Sequence, residues 1–147
     1  MTMRELHYPG FSLQCPANWE DITDQVDADD PPITLADRDA DTGALQFSAA
    51  MFESGELPQI DEASLRELLK NYAEAYELGE PLETTYHSEP VQRITATFEM
   101  YDDLICLWYL TDGKSLVFAS FITERPADPT AVATVQQMLD SLKIDPR

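Results

Sequence analysis

Carboxylates are the side chains in this sequence whose spacing is most suggestive of chemistry. Asp37, Asp39 and Asp41 alternate along one stretch, and alternate carboxylates can converge on a hard cation such as Ca²⁺. The run departs from a calcium-binding loop, because Thr42 and Ser48 stand where that loop has its glycine and its last glutamate. We therefore predict a solvated hairpin loop, with a cation site as the less favoured alternative.

A second acidic run follows Trp19 and ends at the rigid pair Pro31-Pro32. Carboxylates at this density can pair with the Arg and Lys side chains of a basic protein, and the alternative is a solvated loop. We predict an exposed loop from Glu20 to Pro32. The predicted partner-binding residues are Glu20, Asp21, Asp24, Asp27, Asp29 and Asp30.

Other reactive side chains form no recognisable catalytic pattern. His7 and His87 are far apart and lie in no metal-ligand spacing. Cys15 and Cys106 have no C-x-x-C spacing and fall in separate predicted strands, which favours two buried, reduced thiols over a disulfide. The sequence contains no nucleophile elbow, P-loop or dinucleotide-binding glycine motif. We predict no catalytic residue, no cofactor and no metal, and therefore a protein that is not an enzyme.

The charge balance restricts the class of partner. The 147 residues carry 28 acidic and 9 basic side chains, a formal net charge of −19. Such a field repels nucleic acid and anionic membranes and attracts basic proteins, although solubility alone also explains it. The opening residues MTMRELHYPGF lack the features of a signal peptide, which favours a cytoplasmic location. The length fits one domain, residues 1–147.

The chain is organised around an antiparallel meander. Turns are predicted at Tyr101–Asp103 and at Asp112-Gly113, the second as a type I′ turn. Both alternating sets of side chains in the middle strand are apolar, so each face of the sheet needs cover. The three predicted strands are Gln92–Met100, Leu104–Leu110 and Leu116–Thr123.

Two amphipathic helices supply that cover. The first has Asp61 as its N-cap and Gly79 as its C-cap, and the second begins at Asp128-Pro129. We predict an α+β fold: a single antiparallel sheet of about six strands with one helix packed on each face. Further strands are predicted to end at Pro16 and to span Ile33–Ala36, Ala44–Phe52 and, more weakly, Leu82–His87.

Two parts of the sequence resemble known families. Phe11-Ser12-Leu13, Pro16, Trp19 and Asp21-Ile22-Thr23 resemble the F-x-L-x-x-P-x-x-W-x-D-x-T opening of the Mog1/PsbP-like superfamily. That superfamily includes DcrB-like proteins that act as effector-associated chaperones of type VI secretion. The resemblance implies a helix–sheet–helix sandwich.

The second resemblance covers three segments, Gly43–Leu69, Leu78–Pro81 and Asp102–Lys114. They are similar to small cytosolic bacterial proteins associated with immunity against polymorphic toxins. This similarity implies a cytoplasmic immunity protein that neutralises a basic toxin through an acidic surface. The alternative is a type VI secretion chaperone, which would need a concave apolar face to hold effector helices.

Overall fold

The computed structural model describes residues 3–25, 32–38, 43–51, 61–88, 91–112 and 115–144. Within these ranges the chain forms two α-helices and ten strands, which makes the fold α+β. A short 3₁₀ turn occupies Thr23–Gln25. The helices are α1 (Glu62–Ala75) and α2 (Pro129–Asp140); the strands are β1 (Met3–Tyr8), β2 (Phe11–Pro16), β3 (Trp19–Asp21), β4 (Ile33–Asp37), β5 (Ala44–Met51), β6 (Glu83–His87), β7 (Gln92–Met100), β8 (Asp103–Thr111), β9 (Ser115–Glu124) and β10 (Lys143–Ile144).

The main sheet has seven strands in the order β3-β4-β5-β9-β8-β7-β6. Its centre is the predicted meander, since β8 pairs antiparallel with both β7 and β9. The register pairs Thr111 with Leu116, whereas a two-residue Asp112-Gly113 turn would pair Thr111 with Lys114. The predicted two-residue turn therefore does not match the register of these strands. Gly113 and Lys114 themselves lie outside the described residues.

The prediction of one six-stranded sheet was wrong. A second sheet of three strands, in the order β1-β2-β10, lies apart from the main sheet. Strand β1 (MRELHY) is mostly exposed and alternates polar and apolar residues only from Glu5 to Tyr8, and β10 is two residues long, so neither carries a strong strand pattern. Strand β3 occupies part of the predicted exposed loop, where three residues are too few for a pattern.

Cover on both faces of the main sheet is confirmed by two separate apolar clusters. On one face, Leu65 and Leu69 of α1 pack with Leu107 of β8. On the other face, Val135 of α2 and the small sheet pack with Trp108, whose exposed fraction is 3 %. The buried centre of the sheet thus separates the two helices, as the predicted helix–sheet–helix arrangement requires.

The helix starts agree with the predictions, but the end of α1 differs. Asp61 and Asp128 are the N-caps, and each carboxylate accepts a hydrogen bond from a backbone N–H of its helix. Glu77, at φ 54°, takes the left-handed position after α1 that was predicted for Gly79. The Leu78 N–H donates to the Ala73 carbonyl at 2.9 Å and the Glu77 N–H to the Glu74 carbonyl at 3.3 Å, which together form a Schellman motif.

Both cysteines are buried and neither forms a disulfide, as predicted.

Neither helix in the described part of the chain has the length and apolar character needed to cross a lipid bilayer.

Candidate functional site

An acidic cleft of about 450 Å³ opens where β8 begins, β9 ends and α2 begins. Three of its lining residues are acidic and one is basic. We refer to this group as the acidic cleft throughout. Its described lining residues are Gly43, Asp103, Ile122, Thr123, Glu124, Arg125, Pro126 and Asp128.

The pairing of β8 with β9 places two carboxylates side by side in the acidic cleft. Asp103 and Glu124 are directly opposed in the register of this antiparallel pair. Opposed residues share one face of the sheet, with Cβ atoms about 4.5–5.5 Å apart, so like charges at such positions destabilise a sheet. Folding gains nothing from this pair, which makes it a candidate for a role in binding.

Arg125 is already engaged by groups outside this carboxylate pair. Its Nη1 lies 2.7 Å from a carboxylate oxygen of Glu99, and its Nη2 donates to the Tyr101 carbonyl oxygen. Its backbone N–H donates to the Asp102 carbonyl at 2.8 Å. These bonds fasten the end of β9 to the β7–β8 turn. The guanidinium is therefore shared with Glu99, and the lining residues keep a negative balance.

The third carboxylate of the acidic cleft belongs to the N-cap of α2. Asp128 accepts a hydrogen bond of 2.9 Å from the Thr130 N–H through Oδ1. Proline follows at the first helical position, where a missing N–H has no cost. This bond fixes the position of the Asp128 carboxylate at the rim.

The remaining wall of the acidic cleft is formed by Gly43 and Ile122. Gly43 adopts φ 108°, and a Cβ atom there would lie 2.4 Å from the Ile122 carbonyl oxygen. Only glycine allows this close approach of the two backbones. The Ile122 side chain is 46 % exposed, so an apolar strip lies beside the carboxylates.

This combination suits the side chain of a lysine or arginine. The aliphatic part of such a side chain can lie on Ile122 while its charged end reaches Asp103 and Glu124. In the part of the chain that the structure describes, no group of three or more His, Cys, Asp or Glu side chains is placed to hold a metal ion.

Glu20 extends the same surface. It is opposed to Ala36, Ala36 to Ala44, and Ala44 to Ile122, so these residues form one row on one face of the main sheet. Three strand spacings separate Glu20 from Ile122, about 14 Å. The row has the carboxylate of Glu20 at one end and Ile122 at the other, and Glu124 lies two residues beyond Ile122 along β9 on the same face; we call this row the acidic-edged strip.

Asp21 has an internal role that the sequence did not indicate. Its carboxylate accepts hydrogen bonds from the Tyr8 hydroxyl at 2.8 Å and from the Thr23 N–H at 2.8 Å, so it ties β1 to β3. Partial burial raises the pKa of Asp21, but the bonds from Thr23 and Tyr8 outweigh burial and hold it below its ordinary value. Burial, and then the bond to Asp21, raise the pKa of Tyr8.

Of the other predicted partner-binding residues, the structure describes only Asp24. Asp24 is exposed in the 3₁₀ turn after β3. Asp27, Asp29 and Asp30 lie outside the described residues, as do Asp39 and Asp41 of the proposed cation loop. Their assignment to partner or cation binding stays a prediction.

Sequence reasoning missed Asp103, Glu124 and Asp128 as a group. The sequence pattern places Asp103 in a turn and Asp128 at a helix cap, and each of these predictions is local. The signal that could have joined Asp103 to Glu124 is the register of β8 on β9, and the predicted Asp112-Gly113 turn shifts that register by two residues.

Comparison with known proteins gives the fold. No family model matches the chain, and no curated protein matches it significantly. The solution structure of cyanobacterial PsbP (CyanoP) from Synechocystis sp. PCC 6803 is similar, with a TM-score of 0.67 and 12% identity over 97% of this chain and 92% of that one. A crystal structure from Bacteroides thetaiotaomicron VPI-5482 has a TM-score of 0.64 and 14% identity over 93% of this chain. The match spans 46% of the Bacteroides protein. The chain therefore has a PsbP-like fold.

Proposed function

We propose that this chain is a non-catalytic, cytoplasmic protein that binds a basic protein partner, and that it acts as an immunity protein neutralising a basic bacterial toxin. The opposed carboxylates of Asp103 and Glu124 carry the proposal. A pair of like charges destabilises the free protein, and a cation of the partner would remove this repulsion in the complex.

The surroundings of this pair support a protein as the partner. The acidic-edged strip from Glu20 to Ile122 continues from the acidic cleft across β4 and β5. A surface that extends across several strands suits a folded partner better than a small molecule, which needs a concave pocket. The net charge of −19 adds long-range attraction for a basic surface and should speed association at low salt.

The alternative is a type VI secretion chaperone for apolar effector helices. One observation bears on it: a groove of about 460 Å³ between α1 and the β6–β7 end of the main sheet, lined partly by Leu69, Ala73, Ile94 and Phe98. Four charged residues also line this groove: Arg66, Lys70, Glu74 and Glu80. Covering charged side chains with an apolar helix costs free energy, and we therefore favour the immunity proposal.

The test begins by recovering the partner from the native host with tagged protein at low salt. Association and dissociation rates are then measured at low and high salt for double charge reversals of equal size. Asp103→Lys with Glu124→Lys tests the acidic cleft, and Asp24→Lys with Asp27→Lys tests the acidic run predicted from the sequence.

Glu67→Lys with Glu77→Lys is the matched control, because both glutamates are exposed and neither lines the acidic cleft. We expect the cleft variant to dissociate about ten-fold faster or more, since close charge pairs act on the dissociation rate. We expect the control to change only the salt-dependent association rate. Equal effects of the cleft and control variants would refute the proposed site, and a partner that binds independently of salt and of all three variants would refute acidic recognition.

A further inference from the structure

Within the described part of the chain, strand β6 forms one edge of the main sheet. It is the last strand in the order and pairs, among the described residues, with β7 alone. In an antiparallel pair, every second residue of an edge strand directs its N–H and C=O away from its neighbour. The β6 sequence, ETTYH, is rich in strand-forming residues and contains neither the proline nor the lysine that often blocks an edge.

A groove lies beside this edge, on the face that carries α1. Thr84 of β6 lines it together with Ile94 and Phe98 of β7, and Leu69 and Ala73 of α1 form the opposite wall. A strand added to β6 would direct every second side chain to this face of the sheet. Those side chains would lie over the groove, whose volume of about 460 Å³ suits a few apolar side chains.

The charges along the groove are ordered. Arg66, Lys70 and Glu74 line it at four-residue spacing, so they form one stripe along α1. Glu80 lines the groove in the connection that follows the helix. Arg66 also pairs with Glu62, whose carboxylate oxygen lies 2.8 Å from its Nη2, so Lys70 is the basic residue of the stripe without a recorded ion pair among the described residues. The lining thus has basic residues beside the middle of α1 and acidic residues beside its C-terminal end, within a chain that is strongly acidic overall.

We propose that the groove between β6 and α1 binds an extended peptide segment of a protein partner, which adds to β6 as an eighth strand. The peptide has apolar residues at every second position, an acidic group facing Arg66 and Lys70, and a basic group facing Glu74 and Glu80. Backbone hydrogen bonds to β6 provide affinity, and the groove selects the side chains. This site is separate from the acidic cleft and does not depend on its role.

The first test uses phage-displayed random decapeptides selected against the full chain, followed by synthetic labelled peptides measured by fluorescence anisotropy. We expect enrichment of alternating apolar residues with charge of opposite sign at the two ends. Ala73→Gln should fill the groove and weaken binding about ten-fold or more, whereas Ala75→Gln, the same change at an exposed position of α1, should have little effect. Lys70→Glu should weaken binding more than Lys143→Glu, which makes the same charge change on the small sheet.

The second test separates strand addition from simple groove binding. The selected peptide is N-methylated at its odd positions in one version and at its even positions in the other. An added strand donates hydrogen bonds to β6 from one set only, so one version should lose about ten-fold or more in affinity while the other binds nearly as well. A selection without enrichment, variants that match their controls, or equal effects of both N-methylated versions would each overturn the proposal.

Discussion

Replacing Glu124 by lysine should stabilise the fold while it weakens binding at the acidic cleft. The substitution removes the repulsion between the opposed carboxylates of Asp103 and Glu124 and creates an opposite-charge pair at the same position. Cross-strand charge pairs are worth roughly 0.2–1 kcal/mol each, and the exposure of Glu124 reduces this value. We expect a gain of about 0.5–1 kcal/mol in the free energy of unfolding.

The assay is urea unfolding at low salt, repeated in 1 M NaCl. At about 1 M salt the Debye length is near 3 Å, shorter than the separation of the two side chains, so most of the gain should disappear. In thermal unfolding the low-salt gain corresponds to an increase in Tm of about 1–4 °C for a domain of this size.

Glu83→Lys is the control, because Glu83 is a strand residue opposed to the neutral Thr97. It makes the same change in net charge and so measures the general relief of repulsion in an acidic chain. If Glu124→Lys stabilises the fold no more than Glu83→Lys, the argument that the Asp103–Glu124 pair carries an energetic cost is wrong. If Glu124→Lys stabilises the fold and leaves partner binding unchanged, the pair has no role in binding.

Three further predictions concern the fold. Glu77→Gly should stabilise by about 0.5–1 kcal/mol in urea unfolding, because glycine adopts the φ of 54° without strain, and an equal gain for Glu77→Ala would contradict this reason. Trp108→Ala should cost about 3–5 kcal/mol in the same assay, and a fully stable variant would contradict its burial. The folded pKa of Asp21 lies below that of an unfolded aspartate, about 4, so its stabilisation is present above pH 4 and is lost as the pH falls through the folded pKa. The difference in unfolding free energy between wild type and Asp21→Asn should therefore shrink below pH 4. A difference that grows on acidification would contradict a lowered pKa for Asp21 in the folded protein.

Much of the fold could be predicted because its signals are local. The alternation and turn residues between Gln92 and Glu124 indicate the meander, and Asp61 and Asp128 mark the helix starts at the ends of their apolar stripes. Two apolar sets of side chains in β8 require cover on both faces, and α1 and α2 provide it from opposite sides. Each of these features depends on residues within a few positions of one another.

The small sheet and the site depend on contacts that the local sequence does not encode. Strand β10 pairs Lys143 with Ser12, more than one hundred residues away, and the two residues of β10 are too few to carry a pattern that could predict this pairing. Long-range pairing also brings Glu20 into one row with Ile122.

The sequence alone thus determined the acidic character of the chain, its central meander and its two capped helices, because composition and short-range periodicity are sufficient for these. Tertiary structure decided which acidic residues meet. In the observed register of β8 on β9, Asp103 is opposed to Glu124. A register shifted by two residues would oppose Asp103 to Ile122 and would keep every side chain on the same face of the sheet. Hydrophobic patterning is therefore satisfied equally well by either register, and only the packed sheet selects the one that places the two carboxylates together.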